Sequence, residues 1–235
     1  MFNIYPDLEP IFPLWLQISI SAAWVLLIIF IAWLVSRFTT SEPEIIRKIV
    51  HIGTGHVIVI AWLLDIPAVV GIAASIVASI ITLISYILPI LPGINSVGRQ
   101  SLGTFFYAVS IGVLVAIFWD LQQPEYAAIG ILTMAWGDGL AALIGKRFGK
   151  HKYQVFNANK SWEGSLTVTL VTFLICAMIL LITQGNVWQI WLISILVAIF
   201  ATALETISVL GIDNLTVPIG SAILAYSLVQ MINFL

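Results

Sequence analysis

A bundle of helices crossing a membrane about eight times is the fold this sequence predicts, and three observations predict it. Of 235 residues, 61% are hydrophobic and 9% charged, and the mean hydropathy is +1.11. Too few polar side chains remain to clothe a water-soluble surface. The apolar residues gather in stretches of roughly 20, the length that spans hydrocarbon. All nine lysines and arginines lie in alternate connections between those stretches. The class is all-α, a polytopic transmembrane bundle. Nothing is left over for a soluble domain, so residues 1–235 are read as one domain.

Taken in order, the spans are read at roughly 12–35, 49–64, 67–90, 101–119, 126–145, 165–183, 187–206 and 215–234. Before the first, the segment with Asp7 and Glu9 carries no basic residue, so neither a signal nor a transit peptide is read there. The second span is short and weak because it holds His51 and His56. Arg99 is the one charge between the third and fourth. The fifth is interrupted by Gly137-Asp138-Gly139. The sixth holds Cys176, the only cysteine, read as a small packing residue; it excludes an intrachain disulfide and a thiolate metal site. The seventh ends near Glu205, and Asp213-Asn214 stand before the eighth. No repeat with a period of about 20–50 residues, no low-complexity run and no Pro/Ser-rich linker is visible, and no inverted repeat of the transporter kind is evident.

Charge placement predicts the orientation. Arg37, Arg47 and Lys48 follow the first span, Arg99 the third, and Lys146, Arg147, Lys150, Lys152 and Lys160 the fifth. The positive-inside rule puts this side in the cytoplasm and both termini on the non-cytoplasmic side. The same face then holds Glu42, Glu44, Asp138, Glu163, Glu205, Asp213, His51 and His56, so any chemistry belongs there. Asp65, Asp120 and Glu125 read as solvated turns on the other face. No nucleic-acid partner is expected.

Four polar constellations stand out. In the first, Arg47 and Lys48 stand four and three residues before His51, and in a helix the three share one face. They suit either snorkelling at a helix start or the holding of an anion such as a phosphate. His56, deeper in the span, is read as a packing or hydrogen-bonding residue, and Gly53 and Gly55 as sites where another helix comes close. In the second, Arg99 precedes Ser101 and Thr104 at the opening of a span, which fits an anion site or a positive-inside anchor.

The third runs from Trp136-Gly137-Asp138-Gly139 to Gly145-Lys146-Arg147-Phe148-Gly149-Lys150 and then Lys160-Ser161-Trp162-Glu163-Gly164. A carboxylate at a helix centre costs about 2.5–3.5 kcal/mol on insertion scales, so a chain that keeps Asp138 there has a use for it. The flanking glycines let the backbone kink or approach a ligand. The segment is not a P-loop: five residues rather than four separate Gly139 from Gly145-Lys146, and Arg147 stands where Ser or Thr is needed. Lys146, Arg147 and Lys160 suit phosphates as plain charges, and equally suit a positive-inside loop. In the fourth, Glu205 and Asp213-Asn214 offer oxygen ligands beside Asp138 and Glu163. Mg²⁺ takes oxygen ligands and often needs only one or two carboxylates plus substrate phosphates. A helix cap at Asp213 or Asn214 is the plain alternative.

Together these residues resemble the membrane lipid enzymes that use CTP: phosphatidate cytidylyltransferases, dolichol kinases, CTP-dependent diacylglycerol kinases and phytol kinases. The resemblance rests on Gly137-Asp138, Gly145-Lys146 and Lys160-Ser161-Trp162-Glu163-Gly164, and it extends from Arg47 to Pro218. Arg47-Lys48-x-x-His51 and Asp213-Asn214-Leu215-Thr216-Val217-Pro218 look most like the phytol kinases of cyanobacteria and plastids. Two departures set the chain apart from cytidylyltransferases. Asn157-Ala158-Asn159-Lys160 stands where they carry Ser-Pro-Lys-Lys, and Asp213-Asn214 replaces their C-terminal signature.

The resemblance implies a polytopic kinase in a bacterial, cyanobacterial-type membrane that moves the terminal phosphate of CTP onto phytol or a related isoprenoid alcohol, as in tocopherol-related metabolism. It implies Mg²⁺ held by Asp138 with Asp213, Glu205 or Glu163. Donor phosphates would lie on Lys146, Arg147 and Lys160, with Arg47, Lys48 and Arg99 in support. Asp213, or else His51, would handle the hydroxyl proton. Phosphoryl transfer of this kind needs positioning and charge more than covalent chemistry. A transporter would also bury polar groups, but nearer mid-membrane and without the Ser-Trp-Glu-Gly loop.

Overall fold

In hydrocarbon a backbone must satisfy its own hydrogen bonds, and a helix does so within one segment. The computed structural model describes residues 12–40, 42–88, 102–156 and 158–233. Its helices are α1 (Leu14–Phe38), α2 (Pro43–Gly55), α3 (Val57–Leu63), α4 (Ala68–Ser85), α5 (Gly103–Asp120), α6 (Pro124–Phe148), α7 (Trp162–Gln184), α8 (Trp188–Ile207) and α9 (Asp213–Asn233). Counting α2 and α3 as one, eight among the described residues are long and apolar enough to cross a membrane. The eight-span reading and the all-α class hold.

Helix α6 is the axis of the bundle. It packs on α7, α9, α2, α5 and α3. Its N-terminal half, Tyr126 to Ala135, is buried without a break. Lipid tails are as apolar as leucine, so small residues that bring backbones together drive this packing. At Gly130 an added Cβ would lie 2.3 Å from the Pro218 carbonyl oxygen of α9. Gly145 and Gly164 bring α6 and α7 together at the opposite end, where the Gly145 Cα lies 3.7 Å from the place a Gly164 Cβ would take. The ring closes through α8 on α7 and α9 on α8, and α4 lies outside on α5.

Three local expectations are corrected. The fifth span is not interrupted: α6 runs unbroken through Gly137-Asp138-Gly139 and on to Phe148, so Lys146 and Arg147 are helical. Glycine in a helix costs only about 1 kcal/mol against alanine, and tight neighbours outweigh that. The second span starts at Pro43, well before residue 49, and breaks at His56. Arg47 and Lys48 therefore sit on a helix wall instead of a loop. Thirdly, the basic connection folds into a β-hairpin, β1 (Lys152–Val155) with β2 (Ala158–Ser161), pairing Lys152 with Ser161 and Val155 with Ala158. Phe156, at the connection, has φ 51°, the left-handed conformation a tight hairpin turn demands.

Candidate functional site

The polar residues meet at the end of the bundle where α2, α6, the hairpin, α8 and α9 converge. On α2, Glu44, Arg47, Lys48 and His51 recur at helical spacing. Arg47 donates to both oxygens of Glu44, Nε to Oε2 at 3.1 Å and Nη2 to Oε1 at 2.6 Å. Lys48 is 1% exposed and puts its Nζ 2.5 Å from Asp138 Oδ2 on α6. Its distance to Glu44 Oε1 is 4.0 Å. The His51 Nε2 stands 3.5 Å from the same Asp138 oxygen, is buried, and has no hydrogen-bond partner among the described residues.

Local packing makes this meeting possible. A Cβ at Gly139 would lie 2.6 Å from Ile52, and one at Gly55 would lie 2.6 Å from the Ala135 Cβ and 2.5 Å from the Tyr107 hydroxyl. Only glycine lets α2 come near enough for a lysine to reach Asp138. Gly53 is crowded in the same way by Ile28 of α1. The close approach read for Gly53 and Gly55 is thus observed. Tyr107 of α5 backs His51, ring centroids 4.2 Å apart, and donates its hydroxyl to the His51 carbonyl at 3.3 Å. At the helix break the Gly53 carbonyl accepts from the His56 amide at 3.3 Å and from Trp24 Nε1 of α1 at 2.8 Å.

His56 is a hydrogen-bonding residue, as read. Its Nδ1 lies 2.9 Å from the Ile52 carbonyl, and its Nε2 accepts from Trp136 Nε1 at 3.2 Å. A carbonyl only accepts and an indole only donates, so the ring is neutral with its proton on Nδ1. His56 ties α2 to α6.

On the far wall, Lys160 of β2 bonds Glu205 of α8 through Oε1 at 2.6 Å and through the main-chain carbonyl. The hairpin is pinned further by Tyr153, whose hydroxyl lies 2.5 Å from Ser165 Oγ and 3.4 Å from Thr206 Oγ1. Asp213 opens α9, with its Oδ1 accepting from the Asn214 amide and side chain, both at 3.1 Å. The charges of Asp138, Lys160, Glu205 and Lys48 all act on Asp213, and those of Asp138 and Asp213 act on Arg47. One field therefore joins Arg47, Lys48, His51, Asp138, Lys160, Glu205 and Asp213, from segments more than 150 residues apart in the chain.

Other predicted site residues stand elsewhere. Lys146 pairs with Glu42 at the surface, both more than half exposed. Arg147 lies over the Phe148 ring at 5.5 Å. Glu163 serves the turn before the hairpin: its Oε1 accepts from the Lys150 and His151 amides at 3.1 and 3.2 Å and contacts the His151 ring at 2.9 Å. Ser161 caps α7 by accepting from the Gly164 amide at 3.1 Å. Arg99 and Ser101 lie outside the described residues. Glu44 and Tyr107 belong to the site and were not singled out from the sequence. Glu44 was legible at three and four residues from Arg47 and Lys48; Tyr107 carried no such signal.

The chemistry on offer is paired charge. Each cation of the convergence already faces a carboxylate, so an incoming anion must exchange with one. Among the described residues no three His, Cys, Asp or Glu side chains gather into a cage for a metal ion. Asp138 and Asp213, 18% exposed and half-buried respectively, are the pair whose oxygen donors suit a cation that arrives with phosphates, since Mg²⁺ keeps few protein ligands.

Comparison with known proteins gives the family. The chain is 51% identical over 215 residues to a phytol kinase of Synechocystis sp., covering 92% of both chains. It is 30% identical over 210 residues to a probable chloroplastic phytol kinase 1 of Oryza sativa, covering 80% of this chain and 65% of that one. A farnesol kinase of Arabidopsis thaliana is 30% identical over 57% of this chain and 46% of its own length. No family model matches the chain, and no solved structure does. At half identity over nearly the whole of both sequences, with the motif residues gathered on one end of a multi-pass bundle, the chain belongs to the phytol kinase family.

Proposed function

We propose that this protein phosphorylates phytol, taking the terminal phosphate of CTP at the cytoplasmic face of its membrane. The observation that carries the reading is the convergence of Arg47, Lys48, Lys160, Asp138 and Asp213 at one end of an otherwise apolar bundle. A lipid alcohol keeps its chain in hydrocarbon and presents its hydroxyl at that end. The donor phosphates draw Lys160 and Arg47 away from Glu205 and Glu44, an exchange of one anion for another. Asp138 and Asp213 are the residues that would hold Mg²⁺, which supplies charge neutralisation to the transferring phosphoryl group. His51, with its free Nε2 beside Asp138, and Asp213 are the candidates to orient the hydroxyl and receive its proton. Phytol as acceptor is supported by the relatives' names, CTP as donor by the resemblance of the motifs, and the cytoplasmic face by the placement of the basic residues.

The test is γ-labelled CTP with phytol and purified protein in lipid. The expected result is label in phytyl phosphate with CDP released. Label in pyrophosphate, with cytidine retained on a lipid, would instead show attack at the α-phosphorus and overturn the reading. Parallel reactions with ATP, GTP and UTP measure the donor preference.

A further inference from the structure

We propose that the groove between α4 and α5 is the seat of the substrate's isoprenoid chain, an inference that rests on the lipid-alcohol reading above. The groove has a volume of about 410 Å³. Its walls are Ile76, Ile80 and Leu83 of α4 and Phe105, Val109 and Val113 of α5. Its floor is made of small residues: a Cβ at Gly112 would stand 2.2 Å from Ser75 Oγ. The hydroxyls there are turned to the backbone, Ser75 donating to the Ala108 carbonyl and Ser79 to the Ser75 carbonyl, each at 2.8 Å. The surface offered is therefore purely apolar and carries no polar mark for a headgroup.

Three features fit a single chain with a hydroxyl at one end. The groove follows α4 from Ile72 to Leu83, about 16 Å at 1.5 Å per residue, close to half of a hydrocarbon core of about 30 Å. It takes one chain from one leaflet. Its bulkiest wall residues are branched or aromatic, which suits a methyl-branched chain. Its end at Leu83 and Phe105 lies one turn from Tyr86, which stands within the field of Arg47. Arg47 in turn shares the field of Asp138 and Asp213. A chain lying in the groove points its hydroxyl toward the convergence of charges. An ordinary two-chained phospholipid leaves one chain unaccommodated and brings a headgroup that nothing in the groove receives.

Two experiments test this. A phytol analogue with a diazirine at its tail end is photolysed with the wild-type protein in phosphatidylglycerol nanodiscs, and the adducts are mapped by mass spectrometry. Adducts on α4 and α5 that are competed by phytol and not by added phosphatidylglycerol are expected. Adducts competed equally by phospholipid would show a groove that merely holds bilayer chains, and adducts confined to other helices would place the chain elsewhere; either overturns the proposal. In the second experiment, Val113→Trp fills the deep end. It should raise the KM for phytol about tenfold or more, the scale of lost methylene contacts in a pocket, while leaving the KM for the short alcohol geraniol and for the nucleotide unchanged. Equal effects on both alcohols, or on neither, would count against the groove. Labelling is read without turnover, so a protein that binds the probe here and fails to phosphorylate phytol would separate the two readings.

Discussion

Lys48 and Asp138, ninety positions apart, meet at 2.5 Å between α2 and α6, with the lysine sealed from solvent. Each would be costly alone in hydrocarbon, and each is the other's compensation. Asp138→Asn should remove turnover while the protein remains folded, as judged by gel filtration in detergent. Lys48→Met should lower the thermal midpoint, because a carboxylate stripped of its buried partner costs about 3–5 kcal/mol. Lys48→Met combined with Asp138→Leu should recover part of that loss. A double variant no better than Lys48→Met would mean that the pair is not a unit.

The hairpin places Lys160 on Glu205 and leaves Lys152 exposed. Lys160→Ala should weaken nucleotide binding far more than Lys152→Ala. Isothermal titration with CTP and Mg²⁺ reads both. Equal small effects would reduce the basic connection to a determinant of orientation.

The two histidines of α2 and its break should separate cleanly. His56→Phe loses the bonds to Ile52 and Trp136 and should cost about 1–2 kcal/mol of stability, leaving the KM values in place. His51→Phe should spare stability and cut kcat. Thermal melts and steady-state kinetics on the two variants check the division; a kinetic defect in His56→Phe larger than that of His51→Phe would reverse the roles.

The glycines flanking and preceding Asp138 differ in surroundings. A Cβ at Gly137 finds only Val168 at 3.7 Å, an ordinary contact, whereas at Gly130 it strikes the Pro218 carbonyl. Gly137→Ala should raise stability by about 0.4–1 kcal/mol, and Gly130→Ala should lower it by about 1–3 kcal/mol. Loss of turnover in Gly137→Ala with stability intact would reveal a ligand that needs the bare backbone there.

Orientation is open to direct measurement. In a Cys176→Ala background, Asp65→Cys and Asn186→Cys should react with an impermeant maleimide from outside, and Lys152→Cys only from the cytoplasm. All three positions are exposed. Outside labelling at residue 152 would remove the site from cytoplasmic nucleotide.

The spans were legible because hydrocarbon imposes one requirement on every segment, length with apolarity, and a sequence displays both. The charges that gather in the candidate site were legible for a related reason: Asp138, Asp213, Glu205 and Lys160 are conspicuous in such surroundings. Their pairing was not. Lys48 and Lys160 read as phosphate grips, and only the fold reveals that each already faces a carboxylate from a distant helix. Spacing rules reach three or four residues along one helix, which would have found Glu44 with Arg47 and could never find Lys48 with Asp138. The hairpin escaped for want of a turn dipeptide: no Asn-Gly stands after β1, where it would have announced the turn. The break at His56 has no proline to mark it.

The distance in sequence between Lys48 and Asp138 has a consequence for biogenesis. A ribosome delivers α2 to the bilayer long before α6 exists. Until then Lys48 and Arg47 ride in a weakly apolar segment, where a charge adds to the cost of insertion. Nascent chains halted before Pro124 should therefore hold α2 loosely at the translocon, and the arrival of α6 should draw it in. The paired charges of the candidate site are thus also those whose mutual attraction should complete the protein's entry into the membrane.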